Sequence, residues 1–147
     1  MKKFIKATAL FMTAMLVSIG AFADLSPETI PGATTIDGNQ AKAMFDQGVL
    51  FVDPRKDADW EAGRIPGAVH LELNKQLSEK ALLEEASKDD AIVFYCNGIK
   101  CMVSTHATEQ AVAWGFKKVN YYRAGFPDWK SHGYQVERSE EHTSELP

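Results

Sequence analysis

Ala91-Ile92-Val93-Phe94-Tyr95 runs directly into Cys96-Asn97-Gly98-Ile99-Lys100-Cys101. The first five side chains are continuously apolar or aromatic. That pattern suits a strand covered on both faces, as in a parallel sheet between helices. Cys96 then stands at the strand's carboxyl edge. Beyond the loop, Ala107, Ala111 and Trp114 recur at spacings of four and three, and Gly115 follows. This predicts a helix from Thr105 to Trp114. A buried strand, a short loop and a helix make one βα unit.

The same alternation extends in both directions. Upstream, Asp37 can cap a short helix carrying Ala41, Met44 and Phe45, stopped by Gly48. Val49 to Val52 is a second short apolar run, ending at Asp53-Pro54-Arg55. Asp57 to Ala62 predicts one helical turn containing Trp60. Gly63 to Ala68 has loop chemistry, and Val69 to Leu73 alternates as a short strand. A helix with Leu77, Ala81 and Leu82 is expected to end near Ser87. Downstream, Val119 to Tyr122 predicts a last strand, and Pro127 to His132 a short helix before Gly133. Asp24 to Thr35, with Pro27, Pro31 and Gly32, reads as an extended lead-in. Strands alternating with helices predict an α/β fold: a parallel β-sheet of about five strands with helices on both faces. No internal repeat or low-complexity segment interrupts it.

The chain has 147 residues, 45% hydrophobic and 24% charged, a globular composition rather than a disordered one. Its two ends differ from the rest. Lys2, Lys3 and Lys6 precede an apolar run that closes on Ala21-Phe22-Ala23. This is the pattern of a secretory signal peptide over residues 1–23, cut before Asp24. The apolar stretch from Ala7 is short for a membrane span. Export to the periplasm is therefore expected, with no membrane association after cleavage. At the other end, nine consecutive residues from Arg138 to Leu146 match the translation of a short-read sequencing adaptor. Residues 138–147 are set aside as an artefactual tail. Residues 24–137 carry 12 Lys and Arg against 17 Asp and Glu, a net charge of −5. No basic stripe remains, which argues against nucleic acid as a partner.

The chemistry is concentrated in the two cysteines. Open α/β sheets place their sites just past the carboxyl ends of strands, where Cys96 lies. The amides of a strand-to-helix loop and the following helix N-terminus stabilise an anion there. Lys100 adds a full positive charge. Such surroundings lower a thiol's pKa from about 8.5. Cys101 leaves three readings open: a structural disulfide with Cys96, a disulfide resting form, or a thiol that resolves a Cys96 persulfide or sulfenate. Other chemistries fit less well. Met102 occupies the place that a Cys-x5-Arg phosphatase gives to Arg. Four residues separate the cysteines, so this is not the thioredoxin spacing. His106 with both cysteines is too small a ligand set to predict a metal. Trp60, Trp114 and Trp129 read as core residues, and Glu84, Glu85, Lys88, Asp89 and Asp90 as a solvated helix end.

Five blocks in order carry a resemblance. Val52-Asp53-Pro54-Arg55 resembles a Val-Asp-Val-Arg segment. Trp60-Glu61-Ala62-Gly63-Arg64-Ile65-Pro66-Gly67-Ala68 resembles a Gly-His-Ile-Pro-Gly-Ala block and the residues before it, with Arg64 in place of His. Phe94-Tyr95-Cys96 resembles Val-Tyr-Cys. Gly115-Phe116-Lys117-Lys118-Val119 matches Gly-Phe-x-x-Val. Arg123-Ala124-Gly125-Phe126-Pro127-Asp128-Trp129 resembles Gly-Gly-x-x-x-Trp, with Ala124 replacing the first Gly. Together they resemble the rhodanese family of sulfurtransferases, over residues 24–137.

The resemblance implies that the Cys96 thiolate takes a sulfane sulfur from an anionic donor such as thiosulfate. The persulfide formed is then discharged to a thiol, cyanide or a periplasmic protein acceptor. It implies backbone donors from Asn97, Gly98, Ile99, Lys100 and Cys101 around that sulfur, with Lys100, Arg55 and Arg123 attracting the donor. It implies no metal and no cofactor. The alternatives are a periplasmic thiol redox protein using Cys96 and Cys101, and a non-catalytic binding module. Asp53 and Arg55 can equally form a structural ion pair. The loop departs from the family's Cys-x-x-Gly-x-Arg-Ser: Gly98 comes one position early and Cys101 stands in the Arg position.

Overall fold

A computed structural model describes residues 24–139. The expected leader, residues 1–23, and residues 140–147 of the expected tail lie outside the described residues.

Five strands, β1 (Ala33–Thr35), β2 (Leu50–Asp53), β3 (Val69–His70), β4 (Ala91–Tyr95) and β5 (Lys118–Tyr122), form one sheet. Its order is β1-β5-β4-β2-β3, and every pairing is parallel. β4 is central, in register with β5 from Ala91↔Lys118 to Tyr95↔Tyr122 and with β2 at Phe51↔Val93. Ile92, Val93, Phe94 and Tyr95 are all fully buried, as the continuous apolar run requires.

Alternate β4 residues enter two different cores. On one face Phe51, Val93, Tyr95 and Tyr122 meet Ala41 of α1 (Gly38–Asp46) and Phe126 and Trp129 of α5 (Gly125–Ser131). On the other, Val52, Ile92, Phe94 and Val119 meet Leu82 of α3 (Glu79–Glu85) and Ala107 and Ala111 of α4 (Val103–Ala113). The remaining helix, α2 (Asp57–Ala62), follows β2. Helix α1 starts as the sequence indicates. Asp37 accepts from the Gln40 amide and the Gln40 side chain accepts from the Asp37 amide, a complete capping box.

Several expected boundaries are corrected. The lead-in contains a strand, because Ala33–Thr35 pairs with the outer edge of β5. The expected strand Val69 to Leu73 is two residues long. After His70 the Glu72 carbonyl accepts from the amides of Lys75, Gln76 and Leu77, and these bonds close a turn. Helix α4 begins at Val103 rather than Thr105. Helix α5 begins at Gly125 rather than Pro127, placing Pro127 in the first turn, where its missing N–H breaks no helical bond.

The chain leaves β2 toward β3 on one side and leaves β4 toward β5 on the other. The carboxyl ends of β2 and β4 therefore flank a topological switch point, the place where open α/β sheets form their sites.

Candidate active site

Cys96 is the first residue after β4 and is fully buried. Its disulfide partner is Cys101, with the two Cα atoms 6.3 Å apart. The pairing left open by the sequence is thus present. Between them the chain doubles back: the Cys101 amide donates to the Gly98 carbonyl at 3.0 Å, and Gly98 takes φ +119°. Among the described residues, the amides of Asn97, Gly98, Ile99, Lys100 and Met102 donate no hydrogen bond. These amides belong to the turn that carries the two sulfurs, just before the N-terminus of α4. Lys100 is exposed on the same turn and joins no ion pair among the described residues.

The turn is fixed from three directions. The Phe126 amide donates to the Cys96 carbonyl at 2.8 Å. Gly125 makes that approach possible. A Cβ there would lie 3.0 Å from the Cys96 carbonyl carbon, 3.2 Å from the Gly98 nitrogen, and closer still to the Cys96 oxygen. With φ +66°, Gly125 also occupies the left-handed region. From a second side, the amide and hydroxyl of Ser26 both donate to the Ile99 carbonyl at 2.7 Å. Arg123 in turn donates to the Ser26 carbonyl, from Nη2 at 2.7 Å and Nε at 3.2 Å.

The third hold is a buried polar network at the end of β2. Asp53 accepts from Arg55 Nε at 2.9 Å, Arg55 Nη2 at 2.7 Å and the Tyr95 hydroxyl at 2.7 Å. Tyr95 accepts from the Ile65 amide at 3.2 Å. Arg55 also donates to the Gly63 carbonyl and, through Nη1, to Asn97 Oδ1 at 2.8 Å. Asn97 Nδ2 donates onward to Asp59 at 3.1 Å. Burial opposes the Arg55 charge, but the bonds to Asp53 and its negative charge outweigh it and hold the Arg55 pKa above its ordinary value. Burial, followed by the Asp53 charge, pushes the Tyr95 phenol well above its usual range. Tyr95 is therefore a hydrogen-bond donor throughout the physiological pH range.

Three sequence expectations change. Arg55 is only 3% exposed, with its donors directed at Asp53, Gly63 and Asn97, so it positions the loop rather than receiving an anion at the surface. Arg123 is half-buried and holds Ser26. The Cys101 amide closes the turn on Gly98 and is removed from the set of free donors. Ser26, Asp59, Tyr95 and Gly125 enter the site without having been singled out for a role. Gly125 lay within a recognised block, whereas Ser26 acts on a residue 73 positions away and leaves no local signal.

A family model described as "Rhodanese-like domain" matches residues 37–132. The chain belongs to the rhodanese-like domain family. A thiosulfate sulfurtransferase, GlpE, of Pseudomonas syringae pv. syringae is 31% identical over 96 residues, covering 65% of this chain and 86% of its own. A tRNA uridine(34) hydroxylase of Buchnera aphidicola is 32% identical over 99 residues, covering 61% of this chain and 30% of that protein. The chain spans less than two thirds of the length of several curated relatives it matches, that hydroxylase among them. The crystal structure of the BH2092 protein from Bacillus halodurans superimposes with a TM-score of 0.64 at 24% identity, over 72% of this chain and 77% of that one. That likeness concerns the fold alone.

In this rhodanese-like domain, Arg64 occupies the place of the family's usual His in the Gly-Arg-Ile-Pro-Gly-Ala segment. Its guanidinium lies 4.4 Å from the Trp60 ring centre, and its side chain bonds Glu137. Arg64 and Glu137 also exchange backbone hydrogen bonds, tying residue 137 to this segment. Trp60 stacks on His70 on its ring plane, 4.7 Å between centres. Arg64 thus serves packing and anchorage beside the site.

Proposed function

We propose that this domain is a sulfurtransferase that carries a sulfane sulfur on Cys96, acting from the reduced form of the Cys96–Cys101 pair. The observation that carries the reading is the position of Cys96, at the carboxyl end of the central strand, entering a turn whose amides are free to donate. After reduction, the Cys96 thiolate attacks the outer sulfur of thiosulfate. The new S–S bond forms as the bond to the sulfonate breaks, and sulfite leaves with the electron pair. The persulfide is held by the amides of Asn97, Gly98, Ile99 and Lys100, which act as fixed donors to a charged sulfur. The mature domain carries −5 overall, so local groups must draw the anionic donor, and exposed Lys100 is the cation on the turn itself. Cyanide or a thiol then removes the outer sulfur and restores the thiolate. Export to the periplasm belongs to the same reading and rests on the leader pattern alone.

A second reading, a thiol redox protein using the same two cysteines, is favoured by the disulfide itself. Thiocyanate formation from thiosulfate and cyanide by the reduced protein separates them. The sulfurtransferase reading expects activity that vanishes in Cys96→Ala. Activity unchanged in Cys96→Ala sinks the site assignment. Absence of thiocyanate together with catalysis of dithiol–disulfide exchange supports the redox protein.

A further inference from the structure

The two sulfurs of the pair are not equivalent. Cys96 is fully buried, whereas Cys101 is half-buried, and Ile99 and Met102 on the same stretch of chain are 44% and 40% exposed. The bond between them also shows which atoms the turn brings into reach: Cys101 Sγ meets Cys96 Sγ, the sulfur that becomes the inner atom of a persulfide.

We propose that Cys101 is a catalytic residue for sulfide release, and that the second substrate of the domain is a dithiol. The proposal rests on the Cys96 persulfide reading above. The Cys101 thiolate attacks the inner sulfur of that persulfide. A Cys101–Cys96 bond forms, the bond from Cys96 to the outer sulfur breaks, and hydrosulfide leaves with the electron pair. The transferred sulfur is reduced to sulfide, and the two cysteine sulfurs are oxidised to the disulfide seen here. Renewal requires a reductant. One thiolate of an external dithiol attacks Cys101, the less buried of the two cysteines, and Cys96 departs as a thiolate into the turn's donors. The dithiol's second thiol then frees Cys101 and closes the reductant into its own disulfide. In sum, thiosulfate and a dithiol give sulfite, sulfide and the oxidised dithiol.

This assigns the disulfide a place in turnover in addition to its closure of the loop.

The test is a single turnover without external thiol. The protein is reduced, freed of reductant under anaerobic conditions, and mixed with one equivalent of thiosulfate. Sulfite, sulfide and intact mass are followed. The wild type is expected to release sulfite and then a matching amount of sulfide, ending two hydrogens lighter than the reduced protein. Dithiothreitol is expected to restore repeated turnover. Cys101→Ser is expected to release sulfite, to release no sulfide, and to remain one sulfur heavier. A wild-type persulfide that persists beside a free Cys101 thiol overturns the proposal. So does sulfide release from Cys101→Ser at the wild-type rate without added thiol. If neither protein releases sulfite or gains a sulfur, the persulfide reading has failed and this proposal falls with it.

Discussion

Gly125→Ala is a sharp perturbation because it tests how the sulfur loop is held without touching a reactive group. Two costs add. The residue has φ +66°, and an L side chain there costs about 1–2 kcal/mol. The new methyl would also lie 3.0 Å from the Cys96 carbonyl carbon and 3.2 Å from the Gly98 nitrogen. Both are backbone atoms, which cannot rotate away as a side-chain end can. Overpacking of this kind costs about 1–3 kcal/mol. The combined loss is roughly 2–5 kcal/mol, less a few tenths regained from the stiffer unfolded chain. To relieve the contact, the Cys96–Gly98 turn must move by several tenths of an ångström, stretching the bond from Phe126. A shift approaching 1 Å can cost ~100-fold in rate. Thiocyanate formation is therefore expected to fall by roughly 10- to 100-fold at a temperature where the variant is still folded. Gly48→Ala supplies the control. Gly48 has φ +78° with nothing within 4 Å of the new methyl, so it bears the conformational cost alone. If Gly125→Ala keeps wild-type turnover, or loses no more stability than Gly48→Ala, the close approach of α5 to Cys96 does not hold the site.

Three further outcomes follow from the buried network. Asp53→Asn and Arg55→Met each leave one charge of a buried pair uncompensated, and each is expected to cost about 3–5 kcal/mol in urea unfolding. The double variant should recover a large part of that loss. Tyr95→Phe removes the donor to Asp53 and the acceptor of the Ile65 amide, which predicts a loss of about 1–3 kcal/mol. The raised pKa of Tyr95 also sets a sign. Above about pH 10 the unfolded chain releases the tyrosine proton while the folded one retains it, so stability falls as pH rises. That slope should be shallower in Tyr95→Phe, as measured by chemical denaturation on either side of pH 10.

The layout of the fold was largely legible because β4 is hydrophobic on both faces and α4 carries its small residues on one side. Ala91–Tyr95 and Ala107, Ala111 fall in the structure where their patterns indicate. β1 carries no such signal because Ala33-Thr34-Thr35 has no apolar run. It is partly exposed, and it is a strand only through its pairing with β5. β3 is shorter than the alternation through Leu71 and Leu73 implies: their amides still donate to the Asp53 and Pro54 carbonyls, but Pro54 has no N–H to return a bond, and the turn on the Glu72 carbonyl follows. At the site, the position of Cys96 followed from a strand's end, which is local information. The roles of Arg55 and Arg123 were not legible in the same way. A cation near a cysteine suggests anion binding until the carbonyls of Gly63 and Ser26 are seen to accept its hydrogens. Those acceptors arrive from other parts of the chain, and residue type alone does not reveal them.

The most direct test of the account is where the transferred sulfur resides. Reduced Cys101→Ser protein is exposed to thiosulfate, digested without reductant, and its peptides are weighed. The account predicts one added sulfur on the peptide containing Cys96, lost on treatment with cyanide as thiocyanate appears. A Cys96 peptide of unchanged mass, in protein that still converts thiosulfate, would contradict it.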